Sequence, residues 1–341
     1  MTFDPAKPFE KYINDAVVRD AVSTFFPTAE ISAWRVIPKG WQNVSIHVVT
    51  DEEEVVLRFY SLEYLDAPRQ QNDIIYGLEF MEYLYNHGIP VSKVFKTTGS
   101  EYVATVRLGD DHHYVAMLSY IPGAEASEYS DDLIKAVARV QARMHDLAED
   151  YSPKRSLSTS GLFDLQAWFD SLKVSLPQEH QYQDTMAELE EYIQAALDRT
   201  TPEALSDIPR ILIHGDMNRE NFRFVDGELS GVFDFDDCHE SVRSEDIGVF
   251  LSDCLSGLSR DAMLQRINTY FRAYRDIKET TPTDCLLALC FCVEKWVITQ
   301  YFFCVNDILS GRPLDTPENI EYIQTTIQQA RLLLDVIQSS D

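Results

Sequence analysis

The chain has 341 residues, with 29 Lys+Arg against 56 Asp+Glu and a net charge of −27. At roughly 150 residues per domain this length predicts about two domains, long enough to bury a core without disulfides or structural metal. The excess of acid and the lack of any Lys/Arg cluster exclude nucleic acid and anionic membrane surfaces as partners.

Apolar runs such as Leu286–Val293 fall far short of the ~20 residues that span a bilayer. The opening MTFDPAKPFEKY lacks the apolar stretch of a signal peptide, so a cytoplasmic protein is expected. The six cysteines include the three of CLLALCFC and make no C-x-x-C pair, which reads as buried thiols.

In chain order, strands are predicted at Val36–Ile37, Ser45–Thr50 and Val55–Tyr60, parted by PKGWQN and DEEE. A helix follows from about Asn72 to His87, stopped by Gly88 and Pro90. Two more strands, Glu101–Arg107 and Tyr114–Leu118, are joined by GDDHH. After the Pro-Gly break SYIPGA the pattern turns helical: Leu133, Val137, Val140, Met144 and Leu147 share one face. Residues 151–160 read as Ser-rich loop. Helices are predicted at Leu165–Leu176, Gln183–Leu197, Arg260–Arg275, Asp284–Leu309 and Pro317–Ser339, with a β-like island at Ile211–Phe235. A β-rich first third and a helical remainder predict two lobes with a ligand in the cleft between them.

The island reads ILIHGDMNRENFRFVDGELSGVFDFDD. Asp226-Gly227 between strand-like runs predicts a hairpin with a type I′ turn, which needs φ > 0 at both positions. Continuing the register from Val225 opposite Glu228 sets Asn221 opposite Val232, two residues from Asp234. Directly opposed residues lie about 5 Å apart and diagonal ones about 7–8 Å, so the Asn221 amide oxygen and the Asp234 carboxylate can converge on one hard cation. Mg²⁺ fits, since it takes oxygen ligands and prefers one or two carboxylates plus phosphates. Asp216, on the loop entering the hairpin, can accept a proton. One carboxylate for a hydroxyl nucleophile, with an amide and a carboxylate for a metal, is the equipment of phosphoryl transfer.

HGDMNREN followed by VFDFDD resembles the core of the aminoglycoside phosphotransferase and choline kinase family. GWQN at Gly40–Asn43, VVLR at Val55–Arg58, GIPV at Gly88–Val91, SYIPG at Ser119–Gly123, RMHD at Arg143–Asp146 and SEDIGVFL at Ser244–Leu251 extend the resemblance in the family's order. It implies an α+β, bilobal, protein-kinase-like fold. The β-rich N-lobe would span 1–118, the hinge 119–124, and the mostly helical C-lobe with its catalytic β-hairpin 125–341.

It also implies ATP and Mg²⁺ as cofactors, Asp216 as catalytic base, and Asn221 and Asp234 as metal ligands. His214 and Asp246 would support the loop, His145 would pack in the helical core, and the backbone around Met117–Ser119 would bind adenine. Phosphates would meet Arg58, Gly40 and the side chain of Asn43. Asp236 could join the metal site or face the acceptor.

The chain departs from the family at two places. Arg58 stands where a Lys is usual, keeping the charge and gaining a bidentate fork. Gly77 stands where the partner Glu is usual, which leaves Asp73 or Glu79 to take over the ion pair. Trp296, Tyr301, Tyr270 and Tyr274 could wall an acceptor site, with Asp253 or Glu294 meeting a cation. The expected activity is transfer of the γ-phosphoryl group to a small molecule's hydroxyl, the acceptor an amino alcohol, an aminoglycoside or similar, and the negative field favours a cationic one. The alternatives are a Ser/Thr protein kinase of the same fold and a non-catalytic nucleotide-binding module.

Overall fold

The computed structural model describes residues 9–38, 42–64, 67–157 and 165–338. It divides into two units, and the division is not linear. The first takes residues 1–124 together with 153–159 and 230–236; the second takes the rest.

The first unit is built on an antiparallel sheet of β1 (Ile31–Ile37), β2 (Val44–Thr50), β3 (Glu54–Phe59), β6 (Val94–Phe95), β7 (Ala104–Leu108) and β8 (Asp111–Ser119). The order is β1-β2-β3-β8-β6, with β7 also on β8. The short strands β4 (Glu63–Tyr64) and β5 (Ala67–Pro68) pair with each other. Alternation sends Val44, Ile46 and Val48 of β2, with Val55, Leu57 and Phe59 of β3, into one core. The same alternation puts Arg58 on the opposite face of β3.

Helix α1 (Asp15–Phe25) covers that core with Val18, Ala21, Val22 and Phe25. The sequence reading did not predict it, although Asn14 caps it by accepting from Ala16 N and Val17 N. Helix α2 (Gln71–Asn86) falls where expected and stops at Gly88, whose φ is +76°. The β7–β8 turn is tighter than GDDHH implied. Leu108 pairs with Asp111, so Asp111–His113 belong to β8.

The second unit holds α3 (Asp131–Glu149), α4 (Leu165–Ser175), α5 (Gln183–Leu197), α6 (Arg243–Cys254), α7 (Arg260–Arg275), α8 (Pro282–Leu309) and α9 (Pro317–Gln338). Strands β9 (Arg210–Ile213) and β12 (His239–Val242) pair antiparallel. Helix α6 was not predicted as a helix. It is buried nearly all round, from Asp246 through Ser252, so no single apolar stripe betrays it.

Helix α8 corrects the apolar-run reading. By length and composition it could cross a membrane, yet 67% of its most apolar window is buried inside the protein, as suits a core helix. Its start is set by Pro282 and a capping box in which Thr281 and Asp284 satisfy each other's backbone N–H. Five of the six cysteines are buried, and the sixth, Cys285, is partly buried.

The predicted hairpin forms from β10 (Phe222–Val225) and β11 (Glu228–Val232). Asp226 and Gly227 both have positive φ, +51° and +84°. Asn221 lies just before the first strand, in a 3₁₀ turn over Arg219–Asn221, and Asp234 lies beyond the second with φ +69°.

Candidate active site

In the second unit, β9 delivers the loop that begins at His214. Ile211, Leu212 and Ile213 are buried and anchor it. Gly215 has φ +81°, and a Cβ there would strike the carbonyl oxygen of Asp237, so the turn demands glycine. Asp216 comes next and is half-buried. Its Oδ1 accepts from Asn218 Nδ2 at 2.8 Å and its Oδ2 from Asn221 Nδ2 at 2.8 Å. Asn221 also donates to the Asp216 carbonyl at 2.8 Å. Because that amide donates through nitrogen, its oxygen is left as an acceptor suited to a hard cation.

The loop rests on Asp246 of α6, which is fully buried. Its Oδ1 accepts from Gly215 N at 2.8 Å. Its Oδ2 meets His145 Nε2 at 2.9 Å and Gln141 Nε2 at 3.1 Å, both from α3. Burial alone would raise this carboxyl, but the hydrogen bond and charge of His145 outweigh it and hold the pKa at about 2. His214 is buried and accepts from Asp216 N at 3.2 Å. A second carboxylate, Asp253, accepts from Arg219 N at 2.7 Å and from Tyr129 Oη at 2.6 Å, fixing the far end of the loop.

In the first unit, Arg58 reaches from β3 to the segment after β11. One terminal nitrogen donates to Asp234 at 2.6 Å and to Asp236 at 2.8 Å. The same Asp236 oxygen accepts from Arg69 at 3.0 Å and from Asn43 Nδ2 at 2.6 Å. Asn43 Oδ1 in turn accepts from Ser61 N at 3.0 Å and Arg69 at 3.3 Å. Both guanidinium groups lie over the Tyr60 ring, at 5.7 Å for Arg58 and 4.7 Å for Arg69. Burial would raise Asp236, but Arg58 and then Arg69 hold it well below the usual carboxylate range. Burial would likewise lower Arg58, and the charges of Asp234 and Asp236 raise it instead.

Several expectations are corrected. The ion-pair partner of Arg58 is neither Asp73 nor Glu79. Glu79 pairs with Arg155 at 3.4 Å, and the carboxylates at Arg58 are Asp234 and Asp236. Gly77 has a steric reason, since a Cβ there would strike the Phe235 carbonyl oxygen. The Oδ2 of Asp236 is taken by the two arginines and Asn43.

Asn43 Nδ2 donates to Asp236, and its Oδ1 accepts from Ser61 N and Arg69. Met117 is fully buried between Leu57 and Phe95 in the sheet, and Ser119 N donates to Lys93 O at 2.9 Å. Gly40 lies outside the described residues.

The expected acceptor walls fail for a similar reason. Tyr270, Tyr274 and Tyr301 are fully buried, and Trp296 donates to the Ser252 carbonyl. Asp253 serves the loop, and Glu294 is buried on a hydrogen bond from Thr200 at 2.6 Å. Sequence reasoning missed Arg69, Tyr60 and Asn218. Of these only Asn218 carried a signal, as a polar residue two places after Asp216.

The model of the phosphotransferase enzyme family matches residues 33–280. The chain belongs to this family. As a member it is a phosphotransferase, a kinase whose acceptor is a hydroxyl group of a small molecule. It is similar to the homoserine kinase of Granulibacter bethesdensis, 25% identical over 85% of this chain and 88% of that one. The homoserine kinase of Rhodospirillum rubrum is 27% identical over 70% of each chain.

Among solved structures, an amicoumacin kinase in complex with AMP-PNP, Ca²⁺ and Ami superposes with a TM-score of 0.67 at 15% identity, covering 97% of this chain and 96% of that one. A microcompartment-associated aminopropanol kinase gives 0.64 at 17%, covering 95% and 97%. These likenesses establish the bilobal, protein-kinase-like fold. The family assignment removes the protein-kinase and the non-catalytic alternatives.

Proposed function

We propose that this phosphotransferase moves the γ-phosphoryl group of ATP, as its Mg²⁺ complex, to the hydroxyl of a small amino alcohol in the cytoplasm. The observation that carries the reading is Asp216. Its two carboxylate oxygens are each fixed by a side-chain amide, on a loop pinned through Gly215 to a buried carboxylate. Such a group orients the acceptor hydroxyl and takes its proton as the new O–P bond forms and the bond to the ADP oxygen breaks. The amide oxygen of Asn221 and the carboxylate of Asp234 are the residues that would hold Mg²⁺. Asp234 is 30% exposed and, with one amide, matches a cation that keeps few protein ligands. Among the described residues no three His, Cys, Asp or Glu side chains gather as a metal cage. Mg²⁺ would supply charge neutralisation on the phosphates. Arg58 would add a fixed positive charge beside them.

The acceptor class is supported by the homoserine and aminopropanol kinases among the relatives. The net charge of −27 also favours an acceptor carrying an amine. An ADP-release screen against homoserine, aminopropanol, ethanolamine, sugars and aminoglycosides tests this, with Asp216→Asn as blank. Amino alcohols are expected to lead, and the variant is expected to lose about 10²–10⁴-fold in kcat. Retained turnover in Asp216→Asn would overturn the mechanism; a profile led by neutral sugars would overturn the acceptor class.

A further inference from the structure

Helix α6 aims a second acid at the catalytic loop, from the place where a helix least favours one. Asp253 lies in the last turn of α6, where a negative charge opposes the helix dipole. It follows Asp246 by two helical turns, so both acids project from one face. The loop meets that face twice. Gly215 N donates to Asp246 Oδ1 at 2.8 Å and Arg219 N to Asp253 Oδ2 at 2.7 Å, so the two acids bracket Asp216. Between them Asn218 grips Asp216 twice: its backbone N donates to the Asp216 carbonyl at 2.9 Å and its Nδ2 to Oδ1 at 2.8 Å. Asn218 Oδ1 accepts from Glu220 N at 3.0 Å and so caps the 3₁₀ turn that leads to Asn221. Tyr129 sets the direction of Asp253, because its hydroxyl donates to the same Oδ2 at 2.6 Å. The buried ring stands edge-on to Phe250 of α6 at 5.7 Å, with the guanidinium groups of Arg219 and Arg266 each 5.8 Å away. Arg266 of α7 donates to the Tyr129 carbonyl at 3.1 Å and to the Cys254 carbonyl. Burial, and then the Asp253 charge, push the phenol far above its ordinary pKa, so it remains a donor.

We propose that Asp253, locked in place by Tyr129, is a positioning residue for Asp216: by holding Arg219 N it fixes the turn from which Asn218 grips the Asp216 carboxylate. This rests on Asp216 taking the acceptor's proton, as proposed above. The Arg219 N–H belongs to the rigid peptide plane that joins Asn218 to Arg219, so its bond to Asp253 fixes that plane. The plane sets where the Asn218 side chain starts, and the Asn218 amide sets the angle of the carboxylate. Without the Asp253 oxygen, Asp216 keeps its entry through Gly215 but loses this restraint on its far side. A reacting group displaced by about 1 Å can lose on the order of 10²-fold in rate. Asp253 touches neither acceptor nor nucleotide in this scheme; it acts through Arg219 and Asn218.

The test sets turnover against nucleotide binding. ADP release with the amino alcohol that leads the acceptor screen, and calorimetric titration of AMP-PNP with Mg²⁺, are measured for wild type, Asp253→Ala, Asp253→Asn, Tyr129→Phe and Asp216→Asn. Asp253→Ala is expected to lower kcat about 10–10²-fold while AMP-PNP affinity stays within about twofold of wild type. Asp253→Asn keeps an oxygen for Arg219 N and should recover most of kcat. Tyr129→Phe should lower kcat by less than Asp253→Ala, again with affinity unchanged. Added to Asp216→Asn, Asp253→Ala should cost little more, because its effect runs through the carboxylate already lost. Losses that multiply in that double variant, an equal fall in kcat and AMP-PNP affinity, or no rescue by Asp253→Asn overturn the proposal. If Asp253→Ala does not fold, Tyr129→Phe carries the test, and an unchanged kcat there overturns it. Full turnover in Asp253→Ala beside an inactive Asp216→Asn overturns this inference alone, whereas retained turnover in Asp216→Asn overturns the reading on which it rests.

Discussion

Asp246 in the second unit and Asp236 in the first are both carboxylates with three hydrogen-bond donors, but the donors differ in kind. Asp246 is served by a backbone N–H, a histidine and a glutamine. Asp236 is served by two arginines and an asparagine. Both acids stay ionised against the cost of burial, one mainly through His145, the other through Arg58 and Arg69. The first set shapes a loop, since Gly215 N is one of its donors. The second distributes charge around Arg58. A buried acid can therefore be a structural hub or an electrostatic one, and its donors tell which.

The sharpest way to break this comparison is to remove each hub. Asp246→Ala is expected to cost about 3–5 kcal/mol, because a buried hydrogen-bonded charge loses its place and leaves its donors unsatisfied. Turnover should fall with it, since Gly215 and Asp216 lose their anchor. Urea unfolding and turnover on the same preparation check this. If Asp246→Ala kept full stability and lost only nucleotide affinity, the division between the two acids would collapse.

A smaller effect is expected at Gly77. Alanine there must push α2 away from the Phe235 carbonyl, and overpacking of this kind costs about 1–3 kcal/mol. The displaced segment carries Asp234 and Asp236, so nucleotide affinity should fall along with stability. Urea midpoints and AMP-PNP titration measure the two together. An unchanged midpoint in Gly77→Ala would mean that the close approach is not rigid.

The loop hub was far more legible in the sequence than the charged one. His214, Asp216, Asn221 and the Asp-Gly turn lie within fourteen residues, and strand and turn rules carry that distance. Even there the register argument overreached, because Asn221 sits in a 3₁₀ turn before the strand. The Arg58 cluster joins residues 43, 58, 69, 234 and 236, and no periodicity links them. Gly77 looked like a lost acid, whereas a carbonyl packed against the helix fills the space. The sheet and most helices were legible because one face of each is apolar at its own period. Helix α6 was not, because burial on all sides erases that period.

A third buried acid sharpens the comparison, because no cation among the described residues pairs with it. Glu294 of α8 is 1% exposed and accepts a hydrogen bond from Thr200. Burial pushes its pKa up from 4.5 to about 8, only partly opposed by the Thr200 hydrogen bond. The sign of the consequence follows from proton linkage. Between about pH 4.5 and 8 the folded protein keeps a proton that the unfolded chain has released, so this residue's contribution to stability falls as pH rises through that window and levels off above it. Glu294→Gln mimics the protonated form and keeps an acceptor for Thr200. It should leave stability nearly unchanged at pH 5 and flatten the decline toward pH 8, a difference visible only as a slope in urea midpoints against pH. Asp236 and Asp246, whose folded values are depressed, contribute with the opposite sign: their stability is present above the ordinary carboxylate range and lost as pH falls through their lowered values. Equal slopes for wild type and Glu294→Gln would mean that Glu294 ionises inside the core, and that burial without a cationic partner is not what separates it from the other two.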